Sequence, residues 1–155
     1  MQRLKIYEIK KEYIHYLSQY QPHLFFDTGS RKYIGIILDI NGIKYFAPLS
    51  SFKQKHKKMD ESVDFIKIKD YAVININNMI PVPEGQYLLV DINGTKDTHY
   101  RYLLQAESRE INRQKGRIIK NAGIVYSHKL RNGDSTPLAR RSNDFLLLEK
   151  KSKQY

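Results

Sequence analysis

Residues 31–56 read RKYIGIILDINGIKYFAPLSSFKQKH, and this stretch decides the fold. Ile34, Ile36, Leu38 and Ile40 alternate with other residues, so one face of a strand is apolar. Asn41-Gly42 follows. Both residues tolerate the positive φ angles of a type I′ turn, so a two-residue hairpin is expected there. Ile43 to Ala47 reads as the return strand. Pro48, which lacks a backbone donor, is expected to stop the ladder. A turn this tight brings the start of the first strand beside the end of the second. Arg31 and Lys32 are therefore expected near Ser50, Ser51 and Lys53. Hydroxyls ringed by cations suit a site that handles a phosphodiester.

Working outward, the 155 residues suffice for one domain, 1–155, with a real core. Apolar residues make up 41%, enough for a globular chain. No apolar run approaches a membrane span, and Met1-Gln2-Arg3-Leu4-Lys5 lacks the apolar centre of a signal peptide, so cytoplasmic residence is expected. The absence of cysteine removes disulfides, thiolate nucleophiles and cysteine–zinc sites. The net charge of +11 points to a polyanionic partner, and twelve Tyr with six Phe suit bases that stack. An AT-rich genome would also enrich Lys, Ile, Asn and Tyr, so charge defines a class of partner and no more.

Before the hairpin, residues 3–9 read as a strand. Lys11 to Gln21 reads as a helix carrying Tyr13, Ile14, Leu17 and Tyr20, ended by Pro22. Residues 25–30, closing in Thr28-Gly29-Ser30, read as a loop. After the hairpin, residues 53–60 suggest a turn or short helix. Strands are expected at 63–69, 72–76 and 87–92. From Lys96 to Leu130 the period becomes helical. Leu104, Ile111, Ile118, Ala122 and Val125 form one apolar stripe, with Arg109, Arg113, Arg117 and Lys120 nearly opposite. This is one long helix or two, with Gly116 and Gly123 as places of interruption or close approach. Asn143 or Asp144 is placed to cap a last helix. The class is α+β, a small, mostly antiparallel sheet with helices.

Several residues are candidates for chemistry. Ser50 and Ser51 also suit a simple turn, and Lys53, Lys55, Lys57 and Lys58 a solvated charged run. Their expected convergence with Arg31 and Lys32 favours a site. Cleavage of RNA by its own 2′-hydroxyl needs proton removal, charge stabilisation on the phosphorane and protonation of the leaving oxygen. Lysine and arginine supply the second without a metal. The five histidines show no ligand spacing, and His56, next to the Ser-Lys cluster, is the best placed of them for acid–base work. No carboxylate pair suggests a two-metal nuclease, and no phosphate-binding glycine loop occurs. Neither a metal nor another cofactor is called for. Tyr13 and Tyr16 fit either base stacking or a helix core.

Four blocks resemble a known family. They are Lys11 to Leu17 (KEYIHYL), Tyr33 to Lys53 with its Ala-Pro-Leu-Ser-Ser-Phe-Lys end, Ile74 to Val82 (ININNMIPV) and Phe145 to Glu149 (FLLLE). The most specific is the block that ends at Lys53. The sequence resembles the ToxN/AbiQ toxins, endoribonucleases of type III toxin–antitoxin systems, and within them the CptN branch. The resemblance implies a strongly bent sheet like that of the Kid/MazF toxins, elaborated by helices. It implies metal-independent RNA cleavage to 2′,3′-cyclic phosphate and 5′-hydroxyl ends. It implies an antitoxin that is itself RNA, cut by the toxin from a repeat transcript and held as a folded inhibitor in a cyclic toxin–RNA assembly, and a role in aborting phage infection.

Carried over by position, Ser50, Ser51 and Lys53 are then the catalytic residues. By the same positions Tyr13 and Arg31 belong to the RNA-binding set, and the residues themselves add Lys32, Lys55 and His56 beside the Ser-Lys cluster and the basic face of Arg109, Arg113, Arg117 and Lys120. Two departures stand out: Asp27 replaces a family tyrosine, and Phe52 replaces a proline. A second reading, a non-catalytic RNA- or DNA-binding protein, accounts equally well for the charge and the aromatics. A third is a ribonuclease that depends on His56.

Overall fold

The computed structural model describes residues 2–21 and 31–155. The expected loop at 25–30, with Asp27, and the expected helix stop at Pro22 lie outside the described residues. The elements run β1 (Lys5–Ile9), α1 (Lys11–Ser18), β2 (Lys32–Ile40), β3 (Ile43–Ser51), β4 (Phe65–Ile68), β5 (Ala72–Asn75), β6 (Ile80–Pro81), β7 (Tyr87–Leu89), α2 (Thr98–Arg113), α3 (Lys115–Asn132), α4 (Pro137–Arg141) and α5 (Phe145–Gln154). A 3-10 turn, Gln54–Lys58, links β3 to β4. The α+β class is as expected. Among the described residues the sheet has seven strands, in the order β4-β5-β3-β2-β1-β7, with β6 also on β3. Every pairing is antiparallel.

The hairpin forms at Asn41-Gly42, with φ of 52° and 89°, and Asp39 Oδ1 accepts the Gly42 N–H at 2.8 Å. The two strands are not in simple register. Ile34 faces Ala47 while Leu38 faces Tyr45, so β2 carries extra residues opposite Phe46. Gly35 is required there, because a Cβ at this position would overlap the Phe46 ring.

Pro48 does not stop the ladder, contrary to expectation. Strand β3 continues to Ser51, with Tyr33 opposite Pro48 and Lys32 opposite Leu49. Proline has no N–H to exchange, so its pair with Tyr33 is of the non-hydrogen-bonded kind and its nitrogen faces away from β2. On that side β3 changes partners, from β6 at Phe46 to β5 at Leu49. The missing donor falls in the gap between them.

The sheet buries both faces. One face packs Ile34, Tyr45, Ala47, Leu49, Ile66, Ile68, Ala72 and Ile74 against Leu104, Ile111, Ile118, Ala122, Val125 and Phe145. The expected helical stripe is therefore core. The other face packs Tyr33, Phe46 and Ile80 against Tyr13, Ile14, Leu17 and Leu148. The 96–130 segment is two helices, but the break falls at Gln114 rather than at a glycine. Helical hydrogen bonds still cross it: Gln114 N–H donates to Glu110 O at 3.0 Å, and Ile118 N–H to Gln114 O at 3.1 Å. Nothing lies within 4 Å of a Cβ added at Gly116 or Gly123, so neither mediates a close approach. Helix α4 escaped the sequence reading although its signal was present. Thr136 accepts the Ala139 N–H and Pro137 opens the helix. Asp144 caps α5 through Leu147 N–H.

The C-terminal helices are tied to the sheet by polar anchors. Glu149 accepts from Tyr45 at 2.6 Å and Tyr126 at 2.7 Å, and Arg141 forks onto Asp64 at 2.7 and 2.8 Å. These contacts hold α3 and α5 against the sheet, and α3 continues through Gln114 into α2. Helix α2 forms one wall of the candidate site.

Candidate nuclease site

Strand β3 delivers two serines in succession. Ser50 pairs with Val73 and Ser51 with Ala72, so their side chains project to opposite faces of the sheet. The expected single ring of hydroxyls and cations is thereby split in two.

On the first face, Arg31 Nη1 donates to Ser50 Oγ at 2.7 Å. The expected approach of Arg31 to the serines is thus made, and it involves Ser50. Phe52 shares this side. Its ring lies 5.5 Å from His56, which lies 5.7 Å from Phe65. His56 is only 6% exposed, and its Nδ1 accepts the Lys53 N–H at 2.8 Å. Burial, then the charges of Lys55, Lys53 and Lys67, hold its pKa below the ordinary value. The ring is therefore neutral, with its remaining proton on Nε2. His56 is packed as a bracket that shapes the turn behind Lys53, and does not face RNA as expected. The reason is chemical: a neutral imidazole between two phenyl rings can stay dry when its ring nitrogen closes a backbone turn.

On the second face the side chains are open. Ser51 is exposed. Phe52 N–H reaches Tyr71 O at 3.4 Å, extending the ladder one residue, and Lys53 is extended at φ −112°, ψ 164°. The two-residue period therefore turns Lys53 to the same side as Ser51. Lys32, opposite Leu49, belongs to this face too. Its Nζ is 3.2 Å from Glu8 Oε2 and 5.9 Å from the centre of the Tyr100 ring, at the start of α2. Tyr100 is partly exposed. Sequence reading missed it. Its spacing of four from Leu104 was the available signal, because it places the ring at the edge of the stripe that faces the sheet.

Tyr13 does not sit where RNA could reach it. It is fully buried, with its hydroxyl 2.5 Å from Pro81 O. The helix-core alternative is the observed one, since a phenol can be buried once its O–H finds an acceptor. Arg109 and Lys120 are exposed. Arg113 clasps Glu110 at 2.5 and 2.8 Å, and Arg117 reaches Glu61 at 2.8 Å. The hydrogen bond from Arg113 holds Glu110 down to about 2. Both arginines remain well exposed, so the basic stripe is on the outer side of α2 and α3, partly neutralised by its own carboxylates. Lys55 is also exposed.

A second residue missed from sequence is Glu107. It lies on the apolar stripe between Leu104 and Ile111 and is 6% exposed. Burial raises its pKa to about 7, with no hydrogen bond or cation among the described residues to offset that effect. A carboxylate on an apolar stripe was the available signal.

Residues 5–153 match the family described as Toxin ToxN, type III toxin-antitoxin system. This chain belongs to the ToxN family. It is 30% identical to the endoribonuclease ToxN of Pectobacterium atrosepticum, over 98% of this chain and 94% of that one. It is 27% identical to the endoribonuclease AbiQ of Lactococcus lactis subsp. lactis, over 98% and 89%. Among solved structures, a type III toxin described as selectively inhibited by a non-coding RNA pseudoknot superposes with a TM-score of 0.86 at 28% identity, covering 99% of this chain and 98% of that one. The lactococcal anti-phage endoribonuclease AbiQ has the same fold, with a TM-score of 0.87 at 24% identity and coverage of 99% and 98%. No helix of the described residues is long and apolar enough to cross a membrane.

Proposed function

We propose that this ToxN-family chain is an endoribonuclease toxin that cuts RNA at the second face of the β3 end. The observation that carries this reading is the exposure of Ser51 and Lys53 together at the end of β3, with Lys32 at the neighbouring strand start set against Tyr100. The 2′-hydroxyl attacks the adjacent phosphorus, giving a 2′,3′-cyclic phosphate and a 5′-hydroxyl without a metal. Ser51 hydrogen-bonds the scissile phosphate. The Lys53 ammonium stabilises the phosphorane and protonates the leaving oxygen. Lys32 grips a flanking phosphate, and Tyr100 offers a face for a base to stack on. Arg31 and Ser50 brace the strand end from behind. Arg109, Lys120, Lys55 and the exposed parts of Arg113 and Arg117 hold RNA away from the cut.

By kinship with toxins described as RNA-regulated, the inhibitor is a folded, repeat-derived RNA. The toxin trims it from its transcript, and the two close into a cyclic assembly. The cell compartment is the cytoplasm, and the outcome is abortive phage infection.

The test is expression in a bacterium, together with purified protein incubated with cellular RNA in EDTA. Growth arrest and shortened RNA with 5′-hydroxyl ends are expected. RNA that is retarded in a gel yet unchanged in length would identify a non-catalytic binder and sink the proposal.

A further inference from the structure

We propose that Glu107 is the general base of the cleavage, taking the 2′-hydroxyl proton of the nucleotide seated at Ser51 and Lys53. The inference rests on the reading of that pair as the cutting centre.

Helix α2 is pinned at both ends of one flank. Tyr100 stands over Lys32 at 5.9 Å. Glu110 meets Lys69 at 3.9 Å, and Gln114 Nε2 donates to Lys67 O at 3.4 Å. Positions 100, 103, 107, 110 and 114 recur at helical spacing, so they share that flank. Lys32 opens β2, and Lys69 is in the turn before β5. Between these points lies the end of β3: Leu49 pairs with Lys32, and Ser51 with Ala72, three residues beyond Lys69. The flank thus crosses the strand end on the side to which Ser51 and Lys53 turn. Glu107 is the sole carboxylate between Thr98 and Arg109.

Its burial has no structural return. A largely buried carboxyl without a hydrogen bond costs stability, and a leucine would serve better on this stripe. The charged groups along the same flank of α2 are already engaged. Lys32 is held by Glu8 on β1, Lys69 by Glu110, and Glu110 also by Arg113. A carboxyl pushed up to about 7 by burial is matched to accepting a proton near neutrality. In the step, Glu107 takes the O2′ proton as the O2′–P bond forms. The P–O5′ bond breaks, and O5′ takes a proton from the Lys53 ammonium. Glu107 ends as the acid and Lys53 as the amine, and solvent exchange restores both.

The experiment uses a synthetic RNA spanning a site that the wild-type protein cuts in cellular RNA. Single-turnover rates are followed from about pH 5 to about pH 9, with RNA affinity and Tm measured alongside. The wild-type rate should rise through about pH 7 and level off. Glu107→Gln should lose about 100-fold or more in rate and flatten that rise, with affinity retained and Tm no lower than wild type at any pH. Glu107→Ala should recover part of its rate when formate is added, a readout that a packing role would not move. Wild-type rate with an unchanged rise in Glu107→Gln, or failure of formate to restore any rate, overturns the inference. If Ser51→Ala and Lys53→Ala are inert in the same assay, the site reading survives that failure. If they cut at the wild-type rate, the site reading falls and takes the inference with it.

Discussion

The two faces of the β3 end differ in what their side chains are already doing. Behind the strand, Ser50 is bound by Arg31, and His56 is locked between Phe52 and Phe65 with Lys53 N–H on its ring nitrogen. In front, Ser51 is exposed, and Glu107, which the inference above assigns to this face, is buried with no hydrogen bond or cation among the described residues to offset it. Satisfied polar groups give shape, whereas unsatisfied ones hold free energy that a substrate can release. The contrast teaches that two adjacent serines, equivalent by residue type, have unequal roles. One is bound by Arg31 and the other is exposed, and the proposed cleavage assigns the contact with RNA to the exposed one.

The sharpest way to break this contrast is to remove the front. Ser51→Ala and Lys53→Ala should each lower cleavage by about 10²- to 10³-fold, with stability within about 0.5 kcal/mol of wild type because both side chains are at the surface. Rates on a fixed RNA and denaturant midpoints check both halves. A smaller effect separates Glu107 from the rest. Its pKa is raised in the fold, so its ionisation opposes folding. That penalty is absent at low pH and grows as pH rises from the unfolded value to about 7. Glu107→Gln should therefore be more stable than wild type at about pH 8, by about 2–3 kcal/mol, and equal to it at about pH 4. Thermal melts across pH report this, and a constant difference would contradict it.

Behind the strand, Ser50→Ala should cost about 1 kcal/mol in stability, the hydrogen bond from Arg31, and change cleavage less than tenfold. A collapse of cleavage to the Ser51→Ala level would make the two faces equivalent after all. The smallest effect lies on neither face. Gly116→Ala and Gly123→Ala meet open space, so each should add about 0.5–1 kcal/mol of helix stability and leave the cleavage rate alone. Calorimetry and the same assay decide it.

Local chemistry made much of this legible in advance. The hairpin at Asn41-Gly42, the apolar stripe from Leu104 to Val125 and the cap at Asp144 each depend on neighbours within a few residues, so their signals lie in the chain order itself. The net charge and the block ending at Lys53 likewise pointed to an RNA partner without coordinates. What only the tertiary structure decided depends on which strand lies beside which. Pro48 is tolerated because β3 changes partners there, a fact about β5 and β6 rather than about proline. Tyr13 is core because Pro81, sixty-eight residues away, accepts its hydroxyl. The separation of Ser50 from Ser51 follows from continued pairing with β5, and Glu107 is notable only once the helix carrying it has been laid across the sheet. Periodicity records which residues share a face of an element. It carries no record of what that face meets, because contact is a property of the packed chain.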